Sequence, residues 1–387
     1  MLREKKRRGN IARALVWVLA VFLVTSLAFA GGCGRGAETA EEPEKSEGQT
    51  EQASAPESEK IVVRDGTGRE VEFDAPVKRV AALVTGDLEV AAKLGAEIVG
   101  RPTSYMAPPA GLEEVPQIGA PPGMGGGPDF EKIFEINPEL LLGPASLRPH
   151  LNQLEEKGIK VLLFQPRSIE NVKQEILTVG KVLGKEDEAK KLVGEIDSKI
   201  AELRGKVPDK RVLVVWGAPG TYLAVLPSSV IGDYLTILGS ENVAKDFPPL
   251  AERPTFATLS PELVVDKDPE VILFAAHGRP DQVLQGFMSQ MESNPAWKNV
   301  KAVKENRVYV LRPEFTTMNP GPKVADALSY FANALEGKLP AGAPAGGPGG
   351  HPGGHHGGQP GGHPGGHPGG HPGGTPPGGG SGGHPGR

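Results

Sequence analysis

The chain has 387 residues, room for two domains, and a formal net charge of −5, an acidic balance that argues against nucleic acid as a partner. Its single cysteine excludes an intrachain disulfide. It contains no H-E-x-x-H, G-x-S-x-G or G-x-x-x-x-G-K-S/T, and the glycines of "GMGGGP" (123–128) do not fit G-x-G-x-x-G, so an enzyme is not expected.

The N-terminus reads as a targeting segment. "REKKRR" is a cationic head, residues 14–30 are an apolar run, and "AGGC" ends at Cys33. This is the pattern of a lipoprotein signal peptide, residues 1–32, after whose removal Cys33 is the lipidated first residue. Ala30 stands where Leu is usual. A retained membrane anchor is the alternative, although a 17-residue run is short for a span. Either arrangement tethers the chain outside the cytoplasm. Residues 1–32 carry six cationic side chains against Glu4, net +5, which leaves a chain beginning at Cys33 near −10. Residues 33–60, rich in Glu, Ser and Gln, bury too little apolar surface to order and read as a disordered tether.

Two stretches of the folded part match each other: "DFEKIFEINPELLLG" (129–143) and "SPELVVDKDPEVILF" (260–274). Each opens on a helix-capping residue, Asp129 or Ser260, and has Glu two positions later, Glu131 or Glu262. Each stops its helix before x-Pro-Glu and enters an apolar run, 140–142 or 271–274, that reads as a strand buried on both faces. "RVAAL" (79–83) and "RVLVV" (211–215) read as first strands. Each leads to an acidic residue, Asp87 or Asp233, on a helix that ends in Leu-Gly. "GIKVLLF" (158–164) and "NRVYVLR" (306–312) read as last strands. The expectation is two similar Rossmann-like α/β lobes, 61–168 and 209–338. Between them, residues 169–208 carry Val172, Ile176, Val179 and Leu183 on one helical face. Leu192, Ile196, Ile200 and Leu203 continue after a break at Gly184. The second helix, from Glu186, is about 30 Å long and long enough to span two lobes.

"IVVRDGTGREVEFDAPVKRVAAL" (61–83), "LSPELVVDKDPEVILF" (259–274) and "NPAWKNVKAVKENRVYVL" (294–311) together resemble the substrate-binding proteins of ABC importers, in the subgroup serving iron–siderophore, haem and cobalamin uptake. The resemblance covers about 61–337. It implies two lobes joined by one long helix, with a ligand cleft between them and only a small hinge motion. It also implies that an acidic residue on each lobe docks onto arginines of the permease dimer. The matching positions are Glu131 and Glu262, the pair that the duplication picks out.

Ligands of open α/β sheets sit beyond the carboxyl ends of the strands. The candidates there are Thr85, Gly86, Asp87, Tyr105, Met106, Met124, Ser146, Arg148 and His150 in the first half. In the second they are Trp216, Tyr222, Arg253, Phe256, His277, Arg279, Phe315 and Met318. A bare metal ion needs three or four converging ligands, and His150 and His277 are the only histidines before the tail. A small-molecule metal complex is therefore the favoured cargo. Haem would draw an axial ligand from His150, His277, Met106, Met124, Met318 or Tyr105. An anionic ferric siderophore would use Arg148, Arg253, Arg279 or Arg312. A corrinoid would suit Trp216, Tyr105 and Tyr222. The sequence leaves the three open.

Residues 339–387 hold seven of the nine histidines and 23 of the 54 glycines, and read as a disordered tail. His363, His367 and His371 recur every four residues, extended less regularly by His351, His355 and His356. Neutral imidazoles on a soft chain bind divalent Ni, Co, Cu or Zn ions, less well below a pKa of ~6.5. Two functions follow: a cargo-binding protein for an ABC permease, or an extracytoplasmic metal store or metallochaperone working through the tail.

Overall fold

In the computed structural model, which describes residues 60–104, 106–121, 126–277, 280–317 and 319–340, the apolar runs of both halves become central strands. Strand β1 (Ile61–Arg64) and β2 (Glu70–Phe73) form an antiparallel hairpin. Asp65 in its turn accepts hydrogen bonds from Thr67, from Arg69 and from the backbone N–H of Leu163, which fastens the hairpin to the first sheet. That sheet follows through β3 (Arg79–Ala82), α1 (Thr85–Lys93), β4 (Glu97–Gly100), α2 (Phe130–Ile136), β5 (Leu140–Pro144), α3 (Leu151–Glu155) and β6 (Lys160–Phe164). It is parallel, in the order β4-β3-β5-β6.

Helices α4 (Ile169–Leu183) and α5 (Glu186–Leu203) lead to the second sheet. Its elements are β7 (Arg211–Ala218), β8 (Thr221–Val225), α6 (Val230–Leu238), β9 (Glu241–Asn242), β10 (Pro249–Leu250), β11 (Arg253–Thr258), α7 (Pro261–Lys267), β12 (Val271–Ala276), α8 (Pro280–Ser293), α9 (Lys301–Lys304) and β13 (Val308–Val310). Helix α10 (Val324–Leu335) closes the described chain. Strands β7-β12-β13 repeat β3-β5-β6 as adjacent parallel strands in the same order. The repeat is not complete. Strands β8, β11 and β10 add an antiparallel edge, begun by a tight turn at Pro219-Gly220 where Gly220 takes φ 73°. The two halves are thus similar α/β lobes, as expected, and the second is the larger.

The duplicated motif has a structural task. In the first half Glu139 accepts the backbone N–H groups of Lys78 (2.5 Å) and Arg79 (3.0 Å), while Arg79 donates to the carbonyls of Ile136 and Asn137. In the second, Glu270 accepts the N–H of Arg211 (3.2 Å) and Arg211 donates to the carbonyl of Lys267 (2.9 Å). Asn137 and Asp268 end their helices in the left-handed region, φ 48° and 40°. The x-Pro-Glu step therefore clamps the end of one helix to the start of the first strand. Hydrogen bonds from Lys301 and from the Arg211 backbone hold the Glu270 carboxyl below its ordinary range.

The connection differs from the long α5 rod expected. Gly184 takes φ 65° and folds α5 back along α4: Gly180 lies against Ala189, and Lys173 pairs with Asp197 at 2.8 Å. The bridging element is α4, about 22 Å long. It packs against β1 and α1 on one side and α6 on the other. Its buried Ile169, Val172, Ile176 and Val179 belong to one hydrophobic core that runs from Val80 and Leu140 of the first sheet to Val212 and Val214 of the second. The break at Gly184 was visible in the sequence. The reversal was not, because periodicity reports a face and not a direction.

Among the described residues no helix is long and apolar enough to cross a membrane. The expected signal segment with Cys33, the expected tether to residue 59, and the residues beyond 340 lie outside the described residues. Replacing Glu270 by Ala is expected to lower stability by about 1–2 kcal/mol, since it leaves the Arg211 N–H without its acceptor. Urea unfolding of the purified protein measures this, and an unchanged midpoint would remove the clamp from the account.

Candidate functional site: the seam between the sheets

The carboxyl edges of both sheets contribute to one cavity of ≈780 Å³. From the first half come Thr85 and Glu89 of α1 with Met106 and Ala107 after β4. From the second come residues 312–315 after β13, with Lys323, Asp326, Ser329, Tyr330 and Asn333 at and along α10. The charges here are largely paired with each other. Arg312 is bonded to Glu314 (2.6 Å) and lies over the Phe315 ring at 5.2 Å. Lys323 reaches Glu89 at 2.6 Å and so ties the second half to α1. Burial raises the Glu89 carboxyl even though Lys323 opposes the shift. Phe315 and Tyr330 pack at 5.2 Å, and Tyr330 donates to the Val310 carbonyl.

A second group stands on the carboxyl edge of β7 and β12. Trp216 stacks with His277 at 5.8 Å, meets Phe256 edge-on at 5.7 Å, and lies under the Arg253 guanidinium at 5.9 Å. The N–H of His277 donates to the Gly217 carbonyl at 2.7 Å, which fixes the residue immediately past β12. The N–H of Leu311 donates to the Phe274 carbonyl at 2.8 Å, so the segment beginning at Arg312 leaves from the same edge. The Trp216 cluster and the cavity wall therefore share one side of the second sheet's end.

The other candidates separate. Tyr222 points to the opposite face of the sheet, where it packs on Phe274 and Phe287 and donates to the Val283 carbonyl at 3.2 Å. Trp216 and Tyr222 thus do not converge as a corrinoid platform, because residues on alternate sides of the pleat face opposite layers. His150 packs on Phe130 of α2 at 4.8 Å and its Nδ1 meets the Gln153 amide at 3.1 Å, contacts within its own half. Arg148 is exposed. Among the described residues no group of three His, Cys, Asp or Glu side chains converges to hold a metal ion. Tyr105, Met124, Arg279 and Met318, and the tail residues His351, His355, His356, His363, His367 and His371, lie outside the described residues. Glu131 and Glu262 are both exposed in the first turns of the equivalent helices α2 and α7, each behind its capping Asp129 or Ser260. The Ser260 hydroxyl donates to Glu262 at 2.7 Å and lowers its carboxyl pKa.

A third group stands at the seam, and of its members position after a strand nominates Asp87 alone. Asp87 of α1, Glu175 of α4 and Asn319 of the second half are all buried, and the Asn319 amide donates to both carboxyls. Glu175 carried a signal, since it falls on the apolar stripe of Val172, Ile176 and Val179, where a charged residue is out of place.

A family model described as "Periplasmic binding protein" matches residues 80–315, well over half of the chain. The chain belongs to the periplasmic binding protein family. It is accordingly an extracytoplasmic binding protein. It is 31% identical over 227 residues, 57% of this chain and 74% of the relative, to the high-affinity heme uptake system protein IsdE of Staphylococcus aureus. The crystal structure of IsdE complexed with heme superposes with a TM-score of 0.58 at 26% identity, covering 67% of this chain and 98% of that one. An ABC transporter substrate-binding protein from Listeria monocytogenes superposes with a TM-score of 0.58 at 29% identity, again over 67% and 98%. These are two-lobed proteins, and the architecture described above is theirs.

Replacing Tyr222 by Phe is expected to cost about 1 kcal/mol of stability through the lost bond to Val283 and to leave ligand affinity unchanged. Paired denaturation and binding curves on one preparation measure both quantities. Weakened binding at unchanged stability would return Tyr222 to the cleft.

Proposed function

We propose that this protein is the cargo-binding component of an ABC importer, tethered outside the cytoplasm through a lipid on Cys33, and that its cargo is haem. The observation that carries the reading is His277, an imidazole fixed just past β12 against the face of Trp216, at the same end of the second sheet as the segment 312–315 that walls a cavity lined by Met106 from the other half. Imidazole and thioether are axial ligands for haem iron, and flanking aromatic rings suit a flat macrocycle. The likeness to IsdE, a heme uptake protein, points the same way. A ferric siderophore is less well served, because Arg312 is already engaged by Glu314.

Absorbance titration with hemin tests this on the full chain and on a chain ending at Pro340. A Soret shift at one hemin per chain is expected for both, weakened about tenfold or more by His277→Ala and by Met106→Ala. Bare Ni²⁺ or Zn²⁺ is expected to bind only the chain that keeps the tail, which we read as a divalent-metal buffer beside the importer. Saturable binding of a ferric siderophore or a corrinoid without a hemin shift would overturn the cargo. A hemin shift that disappears with the tail would favour the metal-store reading.

Glu131 and Glu262 are proposed as the docking pair for the permease dimer, one on each lobe and each exposed on its helix. Reversing either to Lys is expected to slow uptake by about tenfold or more and to leave hemin affinity unchanged, as loss of charge complementarity at an interface does. Transport assays beside titrations separate the two effects. Normal uptake by the double variant would discard the pair.

A further inference from the structure

Three side chains from three parts of the molecule meet where α1, α4 and the chain after β13 come together. Asp87, Glu175 and Asn319 are exposed by only 1%, 2% and 2%. The Asn319 side-chain nitrogen lies 2.6 Å from Asp87 Oδ1 and 2.9 and 2.8 Å from the two oxygens of Glu175. Its orientation is fixed independently, because its Oδ1 accepts the N–H of Gly321 at 3.0 Å and so turns the NH₂ toward the carboxyls. The backbones approach closely here: a Cβ on Gly86 would overlap the Asn319 carbonyl, and one on Gly321 would lie 2.5 Å from the Gly86 carbonyl.

The donors do not suffice for two carboxylates. An amide nitrogen offers two hydrogens and three carboxyl oxygens compete for them, while Asp87 Oδ2 is buried with no hydrogen-bond partner. Among the described residues neither carboxyl is ion-paired with Lys, Arg or His, and the charged groups on the surrounding elements are engaged elsewhere. Glu89 of α1 pairs with Lys323, and Asp233 of α6 accepts the N–H of Ile169. On α4, Lys173 pairs with Glu170 and Asp197, and Lys181 donates to the Val62 carbonyl of β1. Glu314 and Asp326 face the adjoining cavity. Two unneutralised carboxylates cannot both stay ionised in such a place.

We propose that Asp87 and Glu175 hold one proton between them and, with Asn319, form a proton-dependent latch that keeps the second half closed on α1 and α4. Losing the proton loosens the seam. The inference does not depend on which cargo the cleft takes. Burial pushes Asp87 up to about 7, and burial together with the charge of Asp87 raises Glu175 well above the ordinary range. A folded-state pKa above the unfolded one stabilises at low pH. The contribution is complete below the ordinary carboxyl range and is lost as pH rises to and through about 7.

Denaturant unfolding of the full chain from pH 5 to pH 8 tests the latch. The unfolding constant of the wild type is expected to grow by up to about tenfold per pH unit toward pH 7. Glu175→Gln keeps an amide donor for Asp87 and is expected to flatten that slope. Equal slopes in the two proteins would overturn the proposal. Hydrogen exchange of the wild type, corrected for the intrinsic rate at each pH, gives a second reading that needs no variant. Peptides holding residues 84–90 and 319–323 are expected to lose protection as pH rises, while a peptide holding residues 271–276 keeps its own. Protection that stays constant in all three would also overturn it.

Discussion

The shape of this molecule depends on one helix whose broad inner face is buried against both sheets. Helix α4 buries Val172, Ile176 and Val179 in a hydrophobic core continuous with both sheets. Its first N–H is held by Asp233 of α6 at 2.7 Å, and its interior Glu175 is held by Asn319 of the second half. A buried aliphatic side chain contributes about 1.5–3 kcal/mol, so separating the sheets by more than a small rotation exposes several such side chains at once. Motion that preserves this core has to be a slight hinge. A cleft built on such a frame admits a cargo by small adjustments of its rim.

The sequence duplication acquires a division of labour in this frame. Its inner acids, buried Asp87 and half-buried Asp233, sit on the equivalent helices α1 and α6, and both act on α4 or its immediate surroundings. Its clamping acids, Glu139 and Glu270, close helix to strand inside each half. Its outer acids, Glu131 and Glu262, remain at the surface. Only the last pair has no internal work beyond the local bond from Ser260. That leaves their charges available outward, at matched places on two matched lobes.

The strands were legible because a parallel sheet covered on both faces demands uninterrupted apolar runs, and "RVAA", "LLLGP", "RVLVV" and "VILFAA" supply them. Like segments of the duplication also took like places, β7-β12-β13 beside β3-β5-β6. The antiparallel edge of β8, β11 and β10 was less legible: short strands with mixed burial look like loop, so Arg253 and Phe256 were expected past a strand and lie within one. The site was readable only in part. Position after a strand nominates a residue, but the pleat decides which face it takes, and this parted Tyr222 from Trp216. The buried carboxyl pair lay 88 residues apart on two helices whose contact no local pattern announces, and the single local sign of it was a Glu on an apolar stripe.

The charges lining the seam bear on the cargo. A multiply anionic guest would have to draw Arg312 away from Glu314 and Lys323 away from Glu89, leaving a partly buried carboxylate without its partner in each case. Stripping one member from a buried or half-buried pair costs more than forming the pair gained, because the charge left behind is desolvated and unanswered. Haem is also anionic, but its two propionates stand at one edge of a large apolar ring, so it asks for less of this exchange than a guest charged over its whole surface. It can lie against Trp216 and Phe315 and take an uncharged ligand atom from an imidazole or a thioether. The electrostatics of the rim and the chemistry of the candidate ligands thus lend separate support to the proposed cargo, since they arise from different residues.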